Sequence, residues 1–169
     1  MSATSAGVNG GIAIVALTLA VGSRDYNGLS LPLIEASFAG RVVLVAFALK
    51  LLFTAVTLGS GFKGGEVTPL FCIGATLGNA IAEVAGAPLG MFAALGFAAV
   101  FGAAANTPLA CTILGIELFG PRLAVPLALA CTVAYALSGH RGIYGSQRVH
   151  RRKGAFAPET GVIMLRDLR

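Results

Sequence analysis

The residues with chemistry to offer in this chain are few, and most gather in one short stretch. GSGFKGGEVTPLF, residues 59–71, holds Lys63, Glu66 and Thr68 among four glycines and a Thr-Pro pair, between two apolar runs. Gly64 and Gly65 can take positive φ and let the backbone fold close to a bound ion. Thr68 before Pro69 reads as a helix start, because threonine caps a free N–H and proline at the first helical position leaves none unsatisfied. A helix opening there turns its unpaired N–H groups and positive dipole end toward whatever lies beside Thr68, which is the chemistry of an anion site. Thr68 is the best candidate ligand, since it adds a hydroxyl donor at that end, and a simple capping role is compatible with the same place. Glu66 would repel an anion held close to it, so pairing with Lys63 is expected ahead of proton carriage.

Outside that stretch the chemistry thins out. Lys50 lies inside an apolar run and is expected to face the protein interior, because a lipid-facing lysine there costs about 3 kcal/mol or more. Glu83 and Glu117 are its candidate partners. Cys72, Cys111 and Cys131 are scattered through apolar runs with no CxxC pair, which reads as small core residues and not as a metal site or disulfide framework. His140 and His150 have no ligand-like companions. With no nucleophile–base pair, no metal-ligand cluster, no cofactor motif and no GxxxxGK[ST] loop, an enzyme is not expected.

The elements that must position these residues are apolar helices. The chain has 169 residues, 56% hydrophobic and 11% charged, against roughly 25% charged in soluble domains. That deficit points to an all-α, polytopic membrane protein. Seven of the twelve basic residues lie at or after Arg141, with Arg148, Arg151, Arg152 and Lys153 directly behind the last apolar run. The positive-inside rule then places the C-terminus in the cytoplasm, and topology marking is preferred to a nucleic-acid role for the charge. No signal peptide of the charged-start type is visible. Apolar runs occupy 12–22, 31–38, 42–59, 70–86, 91–105, 109–119 and 123–138, and the run 42–59 is expected to be long enough to span if slightly extended. A membrane unit is expected over 1–148 and a short cytoplasmic tail over 149–169.

Several runs are shorter than the roughly 20 residues of a spanning helix. Proline or glycine interrupts them at Thr68-Pro69, Ala87-Pro88, Thr107-Pro108, Gly120-Pro121 and Pro126. Short, broken helices meeting at depth point to a transport site, with kinks and tight loops as the plainer alternative. Gly74 and Gly78, with Asn79, form a small-residue face suited to helix packing. Asn106 and Thr107 before Pro108 are expected to cap a helix.

GSGFKGGEVTPLF followed by IGATLGN resembles the GxFxP-bearing segment of the CLC chloride channels and chloride–proton exchangers. GAAANTPLACTILGIELFG, SGHRGIYGSQR and RDYNGLSLP resemble later and earlier segments of the same family in the right order. The resemblance implies the CLC fold of broken, tilted helices, of which this chain matches one of two inverted halves, the C-terminal one. It implies an anion path in which the helix after GGEVTP coordinates the ion and a pore tyrosine, here Tyr144, faces it. The form GGEVTP resembles the fluoride-exporting branch, where a threonine and the pore tyrosine contact fluoride. Fluoride is small and strongly hydrated, so hydroxyl donors on Thr68 and Tyr144 suit it. Val67 and Phe71 join them as anion-binding candidates, with Gly64, Gly65, Glu66 and Pro69 as filter backbone. An aromatic edge from Phe71 could add a positive rim, although plain helix packing is the more expected role.

No GxEG(P)-type segment, the source of the family's gating glutamate, occurs here, and the position of Glu66 does not fit that role. The expectation is fluoride/proton antiport with this chain supplying half the pore. The implied partners are a halide anion, protons, the lipid bilayer, the missing N-terminal half and a second complete protomer in a homodimer through helices 109–119 and 123–138. The alternatives are a chloride channel or chloride/proton exchanger, and a non-transporting fragment that associates with a full-length relative.

Overall fold

A computed structural model describes residues 3–62, 64–139, 142–144, 147–149, 163 and 164. Lys63, His140, Arg141, His150, Arg151, Arg152 and Lys153 lie outside the described residues, and so does the expected pairing of Glu66 with Lys63. The chain is helical, with seven α-helices among the described residues: α1 Ala3–Val21, α2 Leu31–Ala39, α3 Ala46–Gly59, α4 Val67–Ala85, α5 Leu89–Ala105, α6 Pro108–Phe119 and α7 Ala124–Leu137. A 3-10 turn, Pro121–Leu123, links α6 to α7. Two short strands, β1 Arg148–Val149 and β2 Ile163–Met164, pair antiparallel.

Proline and glycine set most boundaries as expected. Pro108 opens α6, and Gly86, at φ 65, closes α4 in the left-handed conformation. Three expectations need correction. The run 42–59 is helical only from Ala46, and at 14 residues it rises about 21 Å, short of a spanning length. Pro126 does not break a helix, because it falls in the first turn of α7, where no i−4 carbonyl awaits its missing N–H. The first run is longer than its apolar residues suggested, since α1 extends back through the polar stretch to Ala3. Of the described helices, α4 alone is long and apolar enough to cross a membrane; the described part of α1, with α3, α5, α6 and Pro121–Leu137, is apolar but shorter.

The chain divides into two compact units, Met1–Phe97 and Ala98–Arg169, the boundary falling inside α5. In the first, α4 is the central element: α2 and α3 pack on it, and α1 packs on α3. Tyr26, Ala46 and Phe53 form a buried cluster, with Ile14, Leu17, Val21 and Leu33 against it. The first part of α5 lies so close to α4 that a Cβ at Gly74 would meet the Gly96 carbonyl and one at Gly78 the Phe92 carbonyl. The small-residue face thus packs helix on helix as expected. Asn79 does something else. Fully buried, it donates to Ser37 O and Gly40 O, both at 2.7 Å, and accepts from Val42 N–H at 3.3 Å. It pins the turn after α2 to α4.

In the second unit α6 and α7 pack together with Cys111, Leu127 and Cys131 buried. Gly115 accommodates the tip of Leu127. Thr107 holds the N-cap position of α6, but neither it nor Asn106 caps with its side chain. The Thr107 hydroxyl lies 3.5 Å from Cys111 Sγ, and Asn106 takes a left-handed φ of 57° and donates to Gln147 Oε1. Outward stripes at helical spacing are apolar, as in Val8, Ile12, Val15 and Leu19 on α1 and Val125, Leu129, Val133 and Leu137 on α7. Such stripes suit a lipid solvent.

Candidate functional site

Helix α4 begins two residues earlier than its Thr-Pro pair suggests. Val67 is its first residue, Glu66 takes the N-cap position, and no side chain caps the end. The reason lies in the first turn: Leu70 N–H already reaches Glu66 O at 3.3 Å, and Pro69, third in the helix, needs no acceptor for an N–H it lacks. The exposed donors of this helix end are therefore the backbone N–H groups of Val67 and Thr68. The Thr68 hydroxyl stands beside them, and among the described residues it makes no hydrogen bond. Thr68 is thus not a cap, and its donor is available to another acceptor. Val67, Thr68 and Glu66 are each partly buried, while Gly64 and Gly65 are exposed.

Phe71, one turn on, stacks flat against Phe97, with ring centroids 4.1 Å apart and planes within 4°. That is a packing contact across α4 and α5. Gly64, Gly65 and Pro69 come together on the wall of a cavity of about 460 Å³, which Val67 and Thr68 do not line. Its opposite walls come from α1, from the loop between α1 and α2, and from α3. Tyr144 belongs to the second unit. Its side chain is about half exposed, and the preceding Ile143 N–H donates to Ala104 O at 2.9 Å, tying that stretch to the end of α5.

Lys50 also lines this cavity, and its partners differ from those expected. It is 2% exposed and donates to Tyr26 O at 3.0 Å, Gly28 O at 2.6 Å and Ser30 Oγ at 2.8 Å. Neither Glu83 nor Glu117 takes part; Glu83 faces Arg41 instead at 3.7 Å. Ser30, at a left-handed φ of 56°, precedes α2 without capping it, because its hydroxyl is turned to the lysine. The loop 22–30 is thus part of the wall, a role its sequence did not disclose. A basic residue inside an apolar helix was the one available signal. No group of three His, Cys, Asp or Glu able to hold a metal occurs among the described residues.

Residues 3–139 match the family model described as voltage gated chloride channel. A chloride/fluoride channel protein of Pseudomonas syringae pv. tomato is 50% identical over 150 residues, which is 85% of this chain and 33% of that protein. An H(+)/Cl(-) exchange transporter of Vibrio cholerae is 29% identical over 80% of this chain and 31% of its own length. Among solved structures, a CLC-type fluoride/proton antiporter superposes with TM-score 0.76 at 42% identity, covering 80% of this chain and 34% of that one. The chain spans about a third of the length of these relatives. It belongs to the voltage-gated chloride channel family, the CLC family of multi-pass membrane proteins.

Proposed function

We propose that the chain forms the C-terminal half of a CLC anion pathway, with fluoride as the anion and protons moving in exchange. The observation that carries this reading is the opening turn of α4. Two unpaired backbone N–H groups and the Thr68 hydroxyl sit together at the positive end of a 19-residue helix. Three donors at one helix end suit a small, strongly hydrated anion that must shed water. The resemblance to the family's pore tyrosine assigns Tyr144 as a further hydroxyl donor. Gly64, Gly65 and Glu66 form the backbone that leads to the turn, and Pro69 lies within it. Val67 and Phe71 flank the donors. The likeness to a fluoride/proton antiporter favours fluoride, and that to a chloride/proton exchanger supports chloride as the second reading.

In this reading residues 1–148 form the membrane half, 149–169 a tail on the cytoplasmic side marked by the basic cluster, and complete protomers pair as dimers. The test is fluoride efflux from liposomes, followed with a fluoride-selective electrode, for the chain with and without a matching N-terminal half. Efflux is expected only with that half. Thr68→Ala should slow it about tenfold or more, the value of one hydrogen bond to a charged group. Tyr144→Phe should act in the same direction. Efflux indifferent to both changes would sink the assignment, and chloride moving faster than fluoride would favour the second reading.

A further inference from the structure

The largest fully buried side chain among the described residues is that of a lysine. Two of the three acceptors on Lys50 Nζ, Tyr26 O and Gly28 O, are carbonyls that can only accept. The third, Ser30 Oγ, directs its own hydrogen to Asn27 O at 3.4 Å. Three acceptors around Nζ match the three hydrogens of an ammonium ion. Among the described residues no carboxylate pairs with it, and the ion pair present is Arg41–Glu83. Dipoles solvate this charge, but they do not cancel it.

Lys50 is also one of the residues lining the cavity of about 460 Å³ that Gly64, Gly65 and Pro69 line. Much of the remaining wall is apolar, including Ile14, Phe53 and Leu58. Low-dielectric walls focus the field of a charge and raise the local concentration of its counter-ions. We propose that this cavity is an antechamber for small monovalent anions, concentrated by the charge of Lys50 beside the Gly64–Gly65 loop. The transported anion as its natural occupant rests on the transport reading above; the positive field does not. Lys50 is a positioning residue here, since its three donors are spent on the 26–30 loop and it acts on an anion by field and not by contact.

Thr57 lines the cavity too, and Thr57→Cys places a thiol there. The experiment compares modification of that thiol by anionic and cationic methanethiosulfonates of similar size in the detergent-solubilised chain at low salt. Each rate is divided by the reagent's rate with a small free thiol. The chain without the added cysteine, whose Cys72, Cys111 and Cys131 are buried, gives the background. The anionic reagent should be favoured, and the preference should fall about tenfold in Lys50→Met, the lower end of electrostatic rate effects. It should persist in Lys50→Arg and shrink as salt rises.

A preference near one with Lys50 present, or one that Lys50→Met leaves unchanged, overturns the proposal. Should Lys50→Met fail to fold, the salt titration of the lysine-bearing chain decides, and a preference independent of salt overturns it. Labelling requires no transport. A chain that fails the efflux test but keeps the Lys50-dependent preference loses the transport reading and retains the antechamber.

Discussion

Within Met1–Phe97 the buried side chains include Ser30, Ser37, Lys50, Thr76 and Asn79, whereas those described within Ala98–Arg169 are alanines, Cys111, Leu127 and Cys131. Both units are built from the same kind of apolar helix, so composition does not account for the contrast. Irregular backbone accounts for Ser30, Lys50 and Asn79, whereas the Ser37 and Thr76 hydroxyls return to carbonyls of their own helices. The first unit runs loops between its helices at 22–30 and 40–45, and each brings carbonyls or N–H groups that no helix satisfies. Buried side chains complete them: Lys50 the first loop, Asn79 the second. In the second unit the link from α6 to α7 is a single 3-10 turn, and close packing of small residues suffices. Its one buried orphan among the described residues, Asn106 Oδ1, sits where α5 ends in a left-handed residue. Polar side chains that bond beyond their own helix thus gather where the backbone is irregular.

The contrast can be broken most sharply at Asn79. Asn79→Leu strands Ser37 O, Gly40 O and Val42 N–H at once, and should cost about 3 kcal/mol or more, read as loss of monodisperse protein after heating in detergent. A cost under about 1 kcal/mol would mean that water or lipid headgroups reach that turn. Two glycine substitutions test the packing of each unit. In Gly78→Ala the new methyl meets the Phe92 backbone, which cannot step aside, and a loss of about 3 kcal/mol is expected. In Gly115→Ala it meets only the flexible end of Leu127, and about 1 kcal/mol is expected. Equal losses would dissolve the distinction between backbone and side-chain packing. The smallest effect belongs to Arg41→Ala, which removes an exposed ion pair and should change stability by less than about 0.5 kcal/mol.

Helix number and most helix ends were legible, because Pro88, Pro108, Gly86 and Gly120 act locally on their own backbone. The resemblance to the CLC family was legible for a related reason: GGEVTP carries its signature in consecutive residues. The start of α4 was misread because threonine can cap but need not, and proline is tolerated throughout the first turn, so the pair marks a helix start only to within a turn. Lys50 shows the harder limit. Its need for partners was evident, but carboxylates were expected where backbone carbonyls serve. Every residue has a carbonyl, so no side-chain pattern could reveal that those of Tyr26 and Gly28, over twenty positions upstream, were the ones. The cavity was equally hidden, since it is lined by residues from four separate segments.

The contact of α4 with α5 has a mechanical consequence. Where Gly74 and Gly78 meet the carbonyls of Gly96 and Phe92, backbone touches backbone and no side chain intervenes to change rotamer. Such a joint has no slack: α4 cannot roll about its own axis or slide by a fraction of a turn without collision. The helix therefore behaves as a fixed post, and the aim of the N–H groups at its opening turn is set by the skeleton of the molecule.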